Sequence, residues 1–278
     1  MYIISALLEK ERSRVALYNE EYQKLSQKDG TRADLFGLYM DTVNENSISP
    51  ADVDYIGIAV DGVCEDPDVL VADIEKKSGI RCMISSLIGA KALGKAYLTN
   101  DVPTLFWLNV NDTVESGIVI DKKLYFGMHQ LEGSVAHMVV HFDGYQCACG
   151  RRGCFEAYAS NEGMRRIAAE AGVENAEALT LQALFDMDTP NAELAKKLYV
   201  KYLAGGITNI VTLFQPNELI LEGPFTEIGD KLLSPVTDIV LREQYSHSME
   251  NKCNVRLASK EADTALLGAA LLGRWSGV

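Results

Sequence analysis

The sequence predicts an α/β protein of two lobes. Short apolar strands alternate with helix-length amphipathic segments through the first hundred residues, and a second alternating block with its own hairpin opens near Thr104. With 278 residues, 47% of them hydrophobic and 23% charged, the chain can enclose more core than one small domain needs.

The elements follow in order. Tyr2 to Leu8 and Arg14 to Tyr18 read as strands, and Tyr55 to Val60 as a third, bounded by Pro50 and Asp61-Gly62. Leu35, Leu38, Tyr39 and Val43 recur at helical spacing between them. Asp68 to Lys77 and Leu87 to Leu98 read as helices flanking a short strand, Arg81 to Ile84. The second block opens with strands Thr104 to Val110, Ser116 to Ile120 and Lys123 to Phe126, the last two joined by a hairpin turn at Asp121-Lys122. Helices follow at Asn161 to Ala171, Leu179 to Phe185 and Asn191 to Phe214, the last containing Gly205-Gly206. Leu219 to Leu221 reads as a strand, Lys231 to Gln244 as a helix, the region of Val255 as a strand and Thr264 to Trp275 as a closing apolar helix. No long linker interrupts this, so the lobe boundary is expected at a compact hinge near Asn100 to Thr104.

The net charge of −13, without a basic run, argues against a nucleic-acid surface. The N-terminus lacks a preceding basic region and a small-residue cleavage site, so it reads as a strand and not a signal peptide. No apolar run approaches the ~18 to 20 residues that span a bilayer. Six cysteines, three of them too close together for separate disulfides, fit a reducing compartment, and the expected location is the cytoplasm. Cys64, Cys82 and Cys253 are isolated and read as small buried hydrophobes.

The most informative segment is Cys147-Ala148-Cys149-Gly150-Arg151-Arg152-Gly153-Cys154-Phe155-Glu156, with His137 ten residues before its first cysteine. Thiolates in a Cys-x-Cys, a third after four further residues and a distant imidazole converge tetrahedrally only if the loop folds back on itself. Gly150 and Gly153 supply the positive φ angles of such a knuckle. The expected ligands of a zinc ion are therefore His137, Cys147, Cys149 and Cys154, with no position left for a metal-bound water. Such a zinc is structural, and in small peptides it contributes roughly 10 to 16 kcal/mol of apparent binding energy near neutral pH. His141 competes with His137 as the fourth ligand, and His129 and His247 carry no pattern.

Ala136-His137-Met138-Val139-Val140, the knuckle and Glu156-Ala157-Tyr158-Ala159-Ser160 together resemble the ROK family of sugar kinases and sugar-responsive repressors. Ile56 to Val60, Gly117 to Tyr125 and Ala265 to Ala270 extend the resemblance over nearly the whole chain in the family order. The resemblance implies an actin-like ATPase (ribonuclease H-like) fold, two α/β lobes around a cleft. It places a small lobe at 1–102, completed by the C-terminal helix 264–278, and a larger lobe carrying the knuckle at 103–263. It also implies zinc on His137, Cys147, Cys149 and Cys154, sugar hydroxyl contacts from His137 and Glu156, and a homodimer through the larger lobe.

Against this background the catalytic pattern departs from the family. Phosphoryl transfer needs backbone turns that approach phosphate, a cation site and a carboxylate base. The family's first phosphate turn falls on Leu7-Leu8-Glu9-Lys10-Glu11, its second on Asn111-Asp112-Thr113-Val114-Glu115, and its third on Leu221-Glu222-Gly223-Pro224. The Asn-Asp pair that would carry the base falls on Ser86 and Leu87, and a leucine is no base. Asn100-Asp101 and Asn111-Asp112 are ordinary turn dipeptides at the wrong positions. A family sugar-contacting glutamate is replaced by Ser134, and twenty residues between Val60 and Arg81 leave little room for the loop that supplies further sugar contacts.

The sequence therefore reads as a non-catalytic ROK-like protein, sugar-binding or regulatory, with structural zinc and no call for ATP or magnesium. No catalytic residue is assigned, and the partners expected are a small sugar and a second copy of the chain, with no membrane and no nucleic acid. A knuckle kept only for folding or dimerisation gives the same pattern. An ATP-dependent hexose or N-acetylhexosamine kinase would have to recruit a new base such as Asp61 or Asp112. The third reading is the effector part of a ROK transcriptional regulator without its DNA-binding segment, since the first strand starts at Tyr2 and no helix-turn-helix precedes it.

Overall fold

The computed structural model describes residues 1–62, 66–99, 102–127, 134–243, 252–259 and 264–275. Cys64, Asn100-Asp101, His129, Gly133 and His247 lie outside the described residues, so the expected hinge is described only from residue 102 onward. The chain divides into two compact units, Met1–Pro103 with Gly117–Glu132 and Glu261–Val278, and Thr104–Ser116 with Gly133–Lys260.

The first unit is built on β1 (Tyr2–Leu8), β2 (Arg12–Asn19), β3 (Lys24–Thr31), β4 (Val53–Val60) and β5 (Cys82–Ser86), in the order β3-β2-β1-β4-β5. β1 runs antiparallel to β2 and parallel to β4, and β4 runs parallel to β5. One face, including Ile4, Ala6, Leu8, Ile56 and Ile58, forms a core with α1 (Leu35–Glu45) and α2 (Pro67–Ser78) through Leu38, Tyr39, Val43 and Ile74. α3 (Leu87–Leu98) and α10 (Thr264–Trp275) complete the unit, and α10 packs on β1 and β4. With helices on both faces, the central strands are apolar throughout instead of alternating, as their sequences show.

The α3–α10 contact is a glycine crossing. A Cβ on Gly94 would meet the Thr264 carbonyl, and one on Gly268 would meet the Ala90 carbonyl. Gly57 of β4 likewise lets the Ala269 carbonyl lie against the sheet. Local signals begin the helices: Asp66 and Pro67 start α2, and the Ser86 hydroxyl accepts from Gly89 N at the start of α3.

β6 (Leu105–Val110), β7 (Val114–Ile120), β8 (Lys123–Leu124), β9 (Glu218–Glu222) and β10 (Asn254–Leu257) form the second sheet, in the order β10-β9-β6-β7-β8. β6, β9 and β10 are parallel neighbours, and β7 pairs antiparallel with β8 through Asp121 and Lys122, whose φ values of 51° and 63° are those of the expected tight hairpin. The boundary between the units falls within β7. The larger lobe expected at 103–263 takes in 117–127, whereas the contacts of that stretch group it with the first unit. There β8 lies against α3, and Gly117 has no side chain to hold off the Ile88 carbonyl.

The helices of the second unit are α4 (Glu156–Ala159), α5 (Asn161–Glu170), α6 (Leu181–Asp186), α7 (Pro190–Phe214), α8 (Phe225–Ile228) and α9 (Asp230–Glu243). α7 is the central one, packing on α4, α5, α6 and α9. Its two glycines differ. A Cβ on Gly206 would strike the Phe155 ring, whereas one on Gly205 meets nothing within 4 Å. The segment missed by sequence pattern is β3, whose polar Lys-Leu-Ser-Gln-Lys-Asp-Gly-Thr run is held by its ladder to β2. Among the described residues no helix is long and apolar enough to cross a membrane.

These contacts set two expected outcomes in chemical denaturation. Gly268→Ala is expected to cost about 1–3 kcal/mol by overpacking against Ala90. Gly205→Ala is expected to stabilise by up to ~1 kcal/mol through helix propensity, while Gly206→Ala destabilises.

Candidate metal centre and the turns beside it

The loop between residues 138 and 155 is a small, tightly bonded knuckle. Gly150 N donates to Cys147 O at 3.1 Å and Cys147 N to Arg151 O at 2.9 Å, closing the first turn. Val139 bridges Cys154 and Gln146 bridges Arg152, bringing the last cysteine back beside the segment that follows His137. Gly150 and Gly153 take φ values of 87° and 75°. At Gly153 a side chain is excluded twice, by φ and by the His141 carbonyl, on which a Cβ would fall. The Arg151 guanidinium donates to His137 O at 2.8 Å and ties the histidine's turn to the knuckle.

The fold gathers His137, Cys147, Cys149 and Cys154, whose ligand atoms all lie within 4.8 Å of one another. His137 Nδ1 is 3.6 Å from Cys147 Sγ, and Cys149 Sγ is 3.6 Å from Cys154 Sγ. Tetrahedral zinc with ordinary bond lengths puts its ligands about 3.5 Å apart for a nitrogen and a sulfur and about 3.8 Å for two sulfurs. The donor set and its spacing therefore fit a four-coordinate metal ion with no open position. Cys154 and Cys147 are buried, whereas Cys149 is exposed. The Arg151 backbone N–H, helped by the Arg151 side chain and the neighbouring thiols, pulls the Cys149 thiol down to about 6, while burial pushes Cys154 up to about 12. A metal ion removes that disparity by making thiolates of all three.

The histidine competition is resolved by geometry. His141 is not among the gathered ligands; its Nδ1 lies 3.0 Å from the Tyr158 hydroxyl and 3.3 Å from that of Tyr202. The Tyr158 hydroxyl also accepts from Tyr145 N at 2.9 Å, and the Tyr145 and Tyr158 rings stack at 4.5 Å, so His141 belongs to an aromatic buttress behind the knuckle.

Glu156 opens α4 two residues beyond Cys154 and is half-buried. Its Oε2 accepts from Val114 N at 3.0 Å, an anchor the sequence did not disclose. Asn161, also missed, donates from its backbone to Asn111 O at 2.8 Å and from Nδ2 to Asp112 Oδ1 at 2.9 Å. The only sequence signal for Asn161 was its place after Ser160, the residue that caps α5. The turn between β6 and β7 is closed further by Asn111 Nδ2 to Asn109 Oδ1 (3.0 Å) and by Asn109 Nδ2 to Glu115 Oε2 (3.0 Å).

The other two turns to which the resemblance assigns phosphate contacts are also held by side-chain bonds. In the β1–β2 turn the Glu9 carboxylate lies 3.6 Å from the Arg14 guanidinium, and Arg32 donates to Glu9 O at 3.2 Å. After β9, Glu222 Oε2 accepts from Trp107 Nε1 at 2.7 Å, and Gly223, at φ 130°, is required because a Cβ would meet the Val110 carbonyl. Ser86 is spent as the α3 cap, and Leu87 follows as the first helical residue.

The ROK family model matches residues 59–275 of the chain. The chain belongs to the ROK family. It is 27% identical over 215 residues to the xylose repressor of Bacillus subtilis (strain 168), covering 71% of this chain and 55% of that protein. It is 26% identical over 206 residues to the N-acetylmannosamine kinase of Citrobacter koseri (strain ATCC BAA-895 / CDC 4225-83 / SGSC4696), covering 74% and 69%. The chain spans about half the length of the xylose repressors it matches. The ROK hexokinase of Thermus thermophilus superposes with a TM-score of 0.81 at 20% identity over 98% of this chain and 97% of that one. The fold is thus the actin-like ATPase fold of ROK sugar kinases, as the sequence predicted.

In this ROK chain the knuckle tolerates no Cβ at Gly153. Gly153→Ala is expected to lower both bound metal and melting temperature, as are Cys149→Ala and Cys154→Ala. Metal analysis paired with a thermal melt checks this, and an unchanged melt in both cysteine variants would sink the metal assignment.

Proposed function

We propose that this chain is a non-catalytic ROK protein in which His137, Cys147, Cys149 and Cys154 hold a structural zinc and the sugar-kinase fold serves ligand sensing or regulation. What supports the reading is that the base position implied by the family resemblance falls on Leu87, a side chain that cannot take a proton, with Ser86 beside it capping α3. The turns support it. The β6–β7 turn is filled by Asn109, Asn111, Asp112, Glu115 and Asn161 in mutual hydrogen bonds, where a phosphate-binding turn needs bare backbone N–H groups. Glu9, Glu11 and Glu115 set carboxylates at these turns, and each one 4 Å from a phosphate charge costs about 1 kcal/mol in water and about 4 at the effective dielectric of a protein surface.

The ligand class we assign is a small sugar, in keeping with the xylose repressors and sugar kinases among the relatives. His137 and Glu156 are the residues we assign to its hydroxyls. Nδ1 of the histidine faces Cys147, and one oxygen of Glu156 is held by Val114 N. A carboxylate so oriented accepts charge-assisted bonds from a pair of sugar hydroxyls without reorganising. We also read the chain as a cytoplasmic homodimer formed through the larger lobe. The three free thiols of the knuckle support the compartment and the family resemblance supports the dimer, for which light scattering after size exclusion is the check.

The deciding experiment is a thermal-shift series on zinc-loaded protein with Mg-ATP and, separately, with xylose, common hexoses and N-acetylhexosamines. The expected result is no shift with Mg-ATP and a shift with one sugar class, lost in Glu156→Gln while the ligand-free melt stays nearly unchanged. A shift with Mg-ATP, together with hexose phosphorylation that disappears in Asp112→Asn, would overturn the non-catalytic reading in favour of a kinase with a recruited base.

A further inference from the structure

The β6–β7 turn hangs on the segment that leaves the knuckle. Three hydrogen bonds join them: Val114 N to Glu156 Oε2 (3.0 Å), Asn161 N to Asn111 O (2.8 Å) and Asn161 Nδ2 to Asp112 Oδ1 (2.9 Å). Val114 is buried, so its N–H has no water to turn to if the carboxylate leaves. Glu156 in turn has little freedom of its own. Phe155 N donates to Met138 O at 2.8 Å, Ala157 N to Cys154 O at 3.0 Å, and the Phe155 ring fills the space left by Gly206 of α7. Glu156 therefore stands where the backbone of Cys154 and Met138 puts it, and of these Cys154 is one of the four gathered ligands and Met138 adjoins another, His137.

We infer that Glu156 is a positioning residue through which the metal centre sets the β6–β7 turn: with the four ligands drawn together the carboxylate meets Val114 N–H, and with the knuckle released the turn loses its anchor. The inference rests on the zinc reading above and adds a second consequence of metal binding, reaching beyond the knuckle to the turn that closes off the nucleotide position. Because such coupling is reciprocal, a turn without its anchor also holds zinc less tightly.

Hydrogen exchange followed by mass spectrometry tests this on the full chain, zinc-loaded and after treatment with a chelator, with zinc content measured on the same samples. In the wild type the 111–115 amides are expected to exchange about tenfold faster once zinc is removed, the scale of one lost charge-assisted bond. Zinc-loaded Glu156→Ala is expected to exchange at that faster rate already and to change little on chelation. Glu156→Gln, whose side-chain oxygen still accepts, is expected to behave as the wild type. The 219–221 amides of β9 are the internal reference and stay slow in every sample.

A wild type that binds zinc stoichiometrically but shows no response at 111–115 would overturn the coupling and leave the zinc reading standing. So would a full response in Glu156→Ala, or an equal rise at 219–221, which signals global loosening. Absence of bound zinc would overturn both together, and the metal analysis distinguishes that case from the others.

Discussion

Everything around the knuckle follows from one electrostatic constraint: three sulfurs and an imidazole nitrogen sit within 4.8 Å of one another. As thiolates they repel, and as thiols the buried ones are poor company for a polar loop, so a cation is the economical solution. The demands of that convergence explain the local chain. Two glycines turn it at positive φ, two isolated bridges fold it back, and Arg151 ties it to the carbonyl of the histidine that completes the set. The aromatic buttress of Tyr145, Tyr158 and Tyr202 then gives the loop a stiff backing, with His141 as its polar end.

The glycines elsewhere separate what the fold requires from what phosphate chemistry requires. Gly57, Gly94, Gly117 and Gly268 each stand where another segment's carbonyl presses against the backbone, and Gly206 where Phe155 does. Gly223, in the turn after β9, is explained by packing as well, since the Val110 carbonyl occupies the place of its absent side chain. Where packing makes no such demand, the β1–β2 and β6–β7 turns carry Glu9, Lys10, Asn111, Asp112 and Thr113. The glycines that remain are thus explained by the close approach of helices and turns to backbone.

The architecture agrees with the company the chain keeps, in which repressors and sugar kinases share one family. A fold built around parallel sheets covered by helices supplies the same frame to either role. Here Asn109, Asn111, Asp112, Val114 and Glu115 of the β6–β7 segment are bonded to one another or to Glu156 and Asn161.

Much of this was legible in the residues. Periodicity located nearly every long helix and central strand, because strands covered on both faces are apolar runs and the helices between them repeat at 3.6. The Asp121-Lys122 turn and the four ligands were also visible as local spacing, since chain reversal and metal chelation both act over a few residues. β3 was not visible: its side chains are largely polar, and it is a strand only because the backbone of β2 offers it a ladder. His141, the competitor of His137 on the same loop, differs in what the fold brings to it, tyrosine hydroxyls where His137 meets sulfur. The sequence by itself determined the family, the course of the long helices and central strands, and a set of side chains able to hold a metal ion, all carried by residue identity and short-range pattern. Only the tertiary structure decided that 117–127 group with the first unit and that Glu156 reaches Val114, because those contacts join residues tens of positions apart, and no local pattern encodes which distant backbone will arrive there.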